Sequence, residues 1–253
     1  MKTILAILFL IPFTVLAQKD SVLPGAYNWQ QPALPKDKIT SVVLLEGKVH
    51  DFKWLQLTAN SLNPSPERMQ LRIPKSQEQL IIIKTGMLQV GLGDSTFALN
   101  AGSVAVLMPG EKIILNSTQP CSFYIMKYRS NAPKDLERGK KSGGSFVKFW
   151  DGIPFKPNNN GGGRRDFFEC STAMQKRFEM HLTTLKEGMR SHDPHQHRAQ
   201  EIMLVIDGET EMQIGEKFYT ARTGGFYYLG SNVLHAIKTT GTKPATYFAI
   251  QFE

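Results

Sequence analysis

Two cysteines in 253 residues, Cys121 and Cys170, are too few for a disulfide framework. They lie in different halves of the chain, so one bridge and two separate thiols both stand as readings. The sequence holds no Cys-x2-Cys pair, no Gly-x-Ser-x-Gly elbow and no glycine-rich phosphate loop ahead of a helix. None of those chemistries therefore competes for the site. No amphipathic helix of three turns is visible, and only 135–141 suggests a single helical turn. Concentrated positive charge is also missing. The formal net charge is +8, but the only basic clusters are Arg138-Gly139-Lys140-Lys141 and Arg164-Arg165, both in apparent loops. This pattern reads as a solvated surface with mild attraction for anionic ligands, not as a nucleic-acid footprint.

Long apolar runs are absent after residue 16. The run from Thr3 to Leu16 follows a short positive start and ends in Val15-Leu16-Ala17. It is shorter than the ~20 residues of a spanning helix. Residues 1–17 are therefore expected to be a signal peptide cleaved after Ala17, with an N-terminal anchor as the alternative. Export to a periplasmic or extracellular location follows, with no membrane span in the mature chain. No cysteine follows the cleavage point to carry a lipid.

What is present is a succession of short β-rich runs bounded by turn residues. Ser41–Leu45, Leu80–Ile83, Met87–Val90, Ser103–Leu107 and Phe123–Met126 are punctuated by Gly86, Gly91, Gly93, Gly102 and Gly110. The pattern resumes at Phe178–Thr184, Ile202–Ile206, Glu211–Ile214, Gly225–Leu229 and Thr246–Phe252. Many short strands with glycine turns predict an all-β sandwich or barrel. Residues 18–40, with Pro24, Pro32 and Pro35, read as an extended arm. Residues 131–165, polar and glycine-containing, read as a linker between β units at 41–130 and 166–253.

The two units repeat. Gln79-Leu-Ile-Ile-Ile-Lys-Thr-Gly86 matches Glu201-Ile-Met-Leu-Val-Ile-Asp-Gly208. With Gly86 set against Gly208, Ile73 falls at the place of His195, Lys75 at His197, Gln79 at Glu201 and Ile113 at His235.

Those four residues of the second unit carry the chemistry. His195, His197 and Glu201 stand at even offsets, which on one extended strand would put all three on one face. His235 arrives after a further strand. Three imidazoles and a carboxylate suit one divalent transition metal, Fe, Mn, Ni, Cu or Zn, and leave open positions. Four of the chain's six histidines fall between His192 and His235. His192 itself is either a neighbour of the site or an exposed residue. Glu179, His181 and Thr183 share one strand face. If that face looks inward, His181 is a candidate acid–base catalyst; otherwise it is a wall residue. Tyr227, Tyr228, Tyr247 and Gln251 are further candidates, with barrel packing as their other role. Arg164-Arg165 either clamp a carboxylate or belong to a solvated loop.

The stretch from Gly188 through His195, His197 and Glu201 to Gly208 resembles the first cupin motif. Gly224-Gly-Phe-Tyr-Tyr-Leu-Gly-Ser-Asn-Val-Leu-His235 resembles the second. One extra residue separates Gly188 from His195, and Gly230 and Asn232 stand where the family usually shows Pro and Gly. The weaker repeat extends the resemblance over 41–253. It implies two tandem cupin-type β-barrels of the double-stranded β-helix or jelly-roll kind: a degenerate barrel at 41–130 and a metal-binding barrel at 166–253. The layout is similar to the ureidoglycine aminohydrolases, which are manganese bicupins, although their ligand order of Glu, His, His and Gln differs from the order here.

The resemblance implies a metal-dependent enzyme acting on a small polar organic molecule, aminohydrolase-like or dioxygenase-like, with oxygenase, isomerase and hydrolase chemistry all open. The alternatives are a non-catalytic small-molecule or sugar-binding module and a storage role. An intact ligand set argues against storage. A homodimer is a further expectation of the resemblance.

Overall fold

The computed structural model describes residues 21–32, 39–65, 67–159 and 161–253. The expected signal segment lies outside them. The first unit contains β2 (Thr40–Gly47), β3 (Phe52–Leu62), β4 (Met69–Arg72), β5 (Glu78–Thr85), β6 (Met87–Leu92), β7 (Ser95–Asn100), β8 (Val104–Leu107), β9 (Lys112–Asn116) and β10 (Cys121–Ser130), preceded by β1 (Gly25–Tyr27). A short helix α1 (Leu136–Lys141) follows, then β11 (Phe146–Lys148) and β12 (Lys156–Pro157). The second unit contains β13 (Gly163–Cys170), β14 (Phe178–Leu185), β15 (Gln200–Asp207), β16 (Glu209–Ile214), β17 (Lys217–Arg222), β18 (Phe226–Leu229), β19 (His235–Thr239) and β20 (Ala245–Phe252).

Each unit is a two-sheet barrel. The first pairs a sheet of order β11-β8-β5-β10-β3-β2 with one of order β4-β9-β6-β7. The second pairs β1-β18-β15-β20-β14-β13-β12 with β17-β16-β19. The register repeats as well. Leu92 opposes Ile113 in the first unit as Ile214 opposes His235 in the second. Both turn glycines needed by the repeat adopt positive φ, 73° at Gly86 and 82° at Gly208. A Cβ there would also collide with the Pro120 and Pro244 carbonyls, so only glycine fits.

The apolar runs in β5 and β15 are continuous, not alternating, because both faces of these strands are buried. Ile81 and Ile83 point into the first barrel's core, and Met203 and Val205 into the second's. Leu80, Ile82, Ile202 and Leu204 point the other way, into a third core between the barrels. Aromatic rings knit that interface. Phe52 stacks on Tyr128 and Phe252 at centroid distances of 4.8 and 5.0 Å, and Tyr128 meets Phe178 edge-on at 6.0 Å. The Glu78 carboxylate anchors its margin, accepting from Tyr128 OH (3.0 Å), Thr172 Oγ1 (2.6 Å) and the Ala173 amide (2.9 Å).

The segments outside the barrels are not passive. β1, which precedes the first barrel in sequence, pairs antiparallel with β18 of the second, and Tyr27 stacks on Phe226 at 5.2 Å. Inside the segment read as a linker, β11 pairs with β8, and β12 with β13. Each covers an edge that would otherwise be open. Three- and two-residue strands carry too little alternation to show in sequence. The one-turn helix is present, with the Asp135 carboxylate accepting from Arg138 N at 2.9 Å. Cys121 and Cys170 are free thiols. Among the described residues, no helix is long and apolar enough to cross a membrane.

The inter-barrel core predicts a large effect for Phe178, which is fully buried. Phe178→Ala should lower the unfolding free energy by about 3–5 kcal/mol in denaturant titrations. Val43→Ala on edge strand β2, where Val43 is exposed, should change it by less than about 0.5 kcal/mol.

Candidate metal centre

The inward face of the second barrel's large sheet is a lattice of cross-strand rows. Glu201 on β15 opposes Gln251 on β20, which opposes Glu179 on β14, which opposes Glu169 on β13. The adjacent rows place Met203, Ala249, His181 and Asp166 together, then Val205, Tyr247, Thr183 and Arg164. A cavity of about 340 Å³ stands over this face, lined in part by His181, Thr183, Tyr247 and Gln251. The Glu179/His181/Thr183 face therefore looks inward.

The four expected ligands come together, but not along one strand. His195 forms an isolated bridge with His235, their backbones exchanging hydrogen bonds of 3.1 and 2.8 Å. The chain then bends at 198–199, and Glu201 lies in β15. The loop before β19 holds that bend. The Asn232 amide donates to His197 O at 2.8 Å, and Ser231 Oγ to Arg198 O at 2.7 Å. Asn232 has φ 58°, a left-handed conformation that Asn tolerates better than most side chains. This accounts for Asn at a place where the cupin pattern has Gly. Arg198 makes a two-pronged ion pair with Asp51 of the first barrel, at 2.8 and 2.6 Å.

One ligand atom from each of His195, His197 and His235 lies within 4.8 Å of the others. Glu201 Oε2 is 3.7 Å from His197 Nε2 and 3.6 Å from His235 Nε2. Two tautomers are settled by chemistry. The Ala199 and Val233 carbonyls can only accept, so His197 Nδ1 and His235 Nδ1 carry the protons in their 2.9 and 2.8 Å bonds. Both Nε2 lone pairs then face the cavity. His197 Nε2, His235 Nε2 and Glu201 Oε2 are all buried without a hydrogen-bond partner. Buried polar atoms normally have partners. Three convergent orphans, all of them electron-pair donors, fit a cation.

The electrostatics match a centre built to surround positive charge. Burial pushes the Glu201 carboxyl up to about 7. Burial pushes His235 down to about 4, and the neighbouring imidazoles push it in the same direction. His195 is lowered too, by burial and then by His192 and His197.

The Glu201 carboxyl is held from behind. Gln251 Nε2 donates to Glu201 Oε1 at 3.2 Å, and Gln251 Oε1 accepts from Arg177 at 3.0 Å. Arg177 also binds Glu169 at 2.8 Å and pairs with Glu179 Oε2. Because a guanidinium only donates, it fixes which end of the Gln251 amide faces Glu201. Glu179 is lowered to about 2, first by its hydrogen bond from His181, with Arg177 and Arg164 contributing. His181 Nδ1 meets Glu179 Oε1 at 3.0 Å, and Arg164 meets the same oxygen at 2.8 Å.

The other candidates divide. His192 lines the cavity, with its ring 4.1 Å from that of His195. Tyr247 and Gln251 line it, whereas Tyr227 and Tyr228 do not. Tyr227 is in the barrel core, its hydroxyl bonded to Thr210 O at 2.9 Å, and Tyr228 is in the inter-barrel core. Arg164 lines the cavity, while Arg165 stacks on Trp150 at 4.8 Å. The roles of Arg177 and Asp51 have no signature in the sequence, since each depends on a partner far along the chain.

Residues 181–251 match the family model of the cupin domain. Among solved structures, the chain is similar to AerE from Microcystis aeruginosa, with TM-score 0.63 and 14% identity over 90% of this chain and 98% of that one. It is also similar to a putative glyoxylate induced protein from Pseudomonas aeruginosa, with TM-score 0.65 and 14% identity over 93% and 97%. A Bacillus subtilis oxalate decarboxylase variant gives TM-score 0.63 and 12% identity over 93% and 79%. No curated protein matches the chain. The fold is that of tandem cupin-type barrels, and the comparisons support the cupin superfamily.

Glu201 gives a pH test in the metal-free protein. Its folded value near 7 lies above its ordinary 4.5, so the native state binds the proton more tightly. That stabilisation is complete below about 4.5 and lost as pH rises through about 7. Relative to Glu201→Gln, the wild type should lose on the order of 3 kcal/mol across this window. Urea titrations at stepped pH measure it; parallel profiles for the two proteins would contradict the burial of Glu201.

Proposed function

We propose that the protein is an exported, metal-dependent enzyme acting on a small polar organic molecule in the second barrel. The carrying observation is the set of three buried, partnerless donor atoms on His197, His235 and Glu201 at the cavity. His195, His197, Glu201 and His235 would hold one divalent transition metal. Such an ion supplies Lewis acidity toward a carbonyl, a bound water of lowered pKa, or a site for dioxygen.

The chain's own groups do the rest. His181 is the acid–base residue. Its Nδ1–H is held by the ionised Glu179 carboxylate, which leaves Nε2 as the proton acceptor and steadies the imidazolium after transfer. Arg164 and Lys156 line the same cavity and supply donors for oxygen atoms of a substrate. The first barrel carries no equivalent site on this reading, because Ile73 and Ile113 are packed in its core. It serves to support the second. The likeness to the neighbouring structures is one of fold, and oxygenase, isomerase and hydrolase chemistry all use a centre of this kind.

Elemental analysis of the purified protein should find one transition metal per chain. His235→Ala should abolish binding while the circular dichroism spectrum is kept. Arg177→Met releases the Gln251 amide and should weaken metal affinity about tenfold in chelator competition. Absence of metal, together with no affinity for added Mn, Fe or Zn, would sink the reading. Ligand-dependent thermal stabilisation without product would mark a binding module instead of an enzyme.

A further inference from the structure

A second cavity, of about 430 Å³, lies between the barrels and shares no lining residue with the metal centre. Repeat-equivalent elements form it: the end of β5 faces the end of β15, and the turn at Ala101-Gly102 faces the turn at Thr223-Gly224. The turns are tied alike, Gly102 N to Ile83 O at 2.9 Å and Gly224 N to Val205 O at 2.7 Å. Ile82, Tyr124, Trp150, Leu204 and Ile206 contribute apolar surface to the wall. The Tyr124 hydroxyl is used up on Gly224 O at 2.9 Å.

The equivalence breaks at one place. Lys84 on β5 stands where β15 has Ile206, and both line the chamber. Lys84 is the chamber's only charged lining residue among those described. Its ammonium lies 4.9 Å over the Trp29 ring, on the arm that follows β1. Among the described residues, no carboxylate pairs with it. Burial pushes its pKa down, as expected for a cation partly withdrawn from water.

A chamber of this size, largely apolar with one cation and two threonines, Thr85 and Thr223, at its wall, is the form of a small-molecule site. The apolar wall selects an apolar body, and the ammonium selects an anionic head. We propose that the inter-barrel chamber binds a small amphipathic monocarboxylate, its head paired with Lys84 beside Trp29 and its body between Ile82, Trp150 and Leu204. The site is independent of the metal centre.

Titration calorimetry of the full chain with octanoate tests this, with octanol as the neutral control. Saturable one-to-one octanoate binding is expected. Lys84→Met, which keeps the stem and removes the charge, should weaken octanoate at least tenfold and leave octanol nearly unchanged. Ala101→Trp, at the exposed rim, should block both ligands while the thermal transition is kept. His235→Ala should bind octanoate as the wild type does. No saturable binding, equal octanoate affinity in Lys84→Met, or octanoate binding lost in His235→Ala would each overturn the proposal. The last result would place the acid at the metal centre.

Discussion

The structure depends on two large sheets whose central strands are buried on both faces. One face of each fills a barrel, and the other is pressed against its counterpart. A sheet in that position must be apolar on both sides, and the middles of β5 and β15, Leu80–Ile83 and Ile202–Val205, are. The same constraint makes any inward polar residue on these strands costly unless it has a partner. Glu201 is such a residue. It is almost wholly buried and has one oxygen satisfied and one not.

The rest of the second barrel's chemistry compensates for that oxygen. Gln251 and Arg177 secure the satisfied side. Two imidazoles with fixed tautomers point at the other. Without a cation, the cluster settles toward neutrality: burial raises Glu201 and lowers His235. A divalent ion reverses both tendencies by rewarding an ionised carboxylate and bare imidazole nitrogens. The cross-strand row that carries Glu201 continues to Glu179 and so reaches His181. Ligand orientation and the proposed proton carrier thus share one hydrogen-bonded wall.

The all-β class and the repeat were legible because they are written in local pattern: glycine turns, short β-rich runs, and Gly86 matched to Gly208. The four residues at the centre were legible from their types and spacing. Their even spacing predicts one extended strand aligning His195, His197 and Glu201, whereas a bend held by Ser231 and Asn232 brings them together with His235. The sharing of one face by Glu179, His181 and Thr183 was readable, but its inward direction was not, because period two does not say which side is the core. Tyr227 and Tyr228 show the same limit.

The strand-and-turn pattern, its duplication, and a ligand-type set confined to the second copy are all written locally in the chain. These are properties of neighbours along the chain. Folding sets which face of each strand looks inward, that β1 crosses to the far barrel, that Arg177 sets the Gln251 amide, and that Lys84 meets Trp29 beside a largely apolar chamber. Each joins residues through antiparallel register or sheet-on-sheet packing, and those contacts are set by burying apolar area across the whole molecule, which no local window contains.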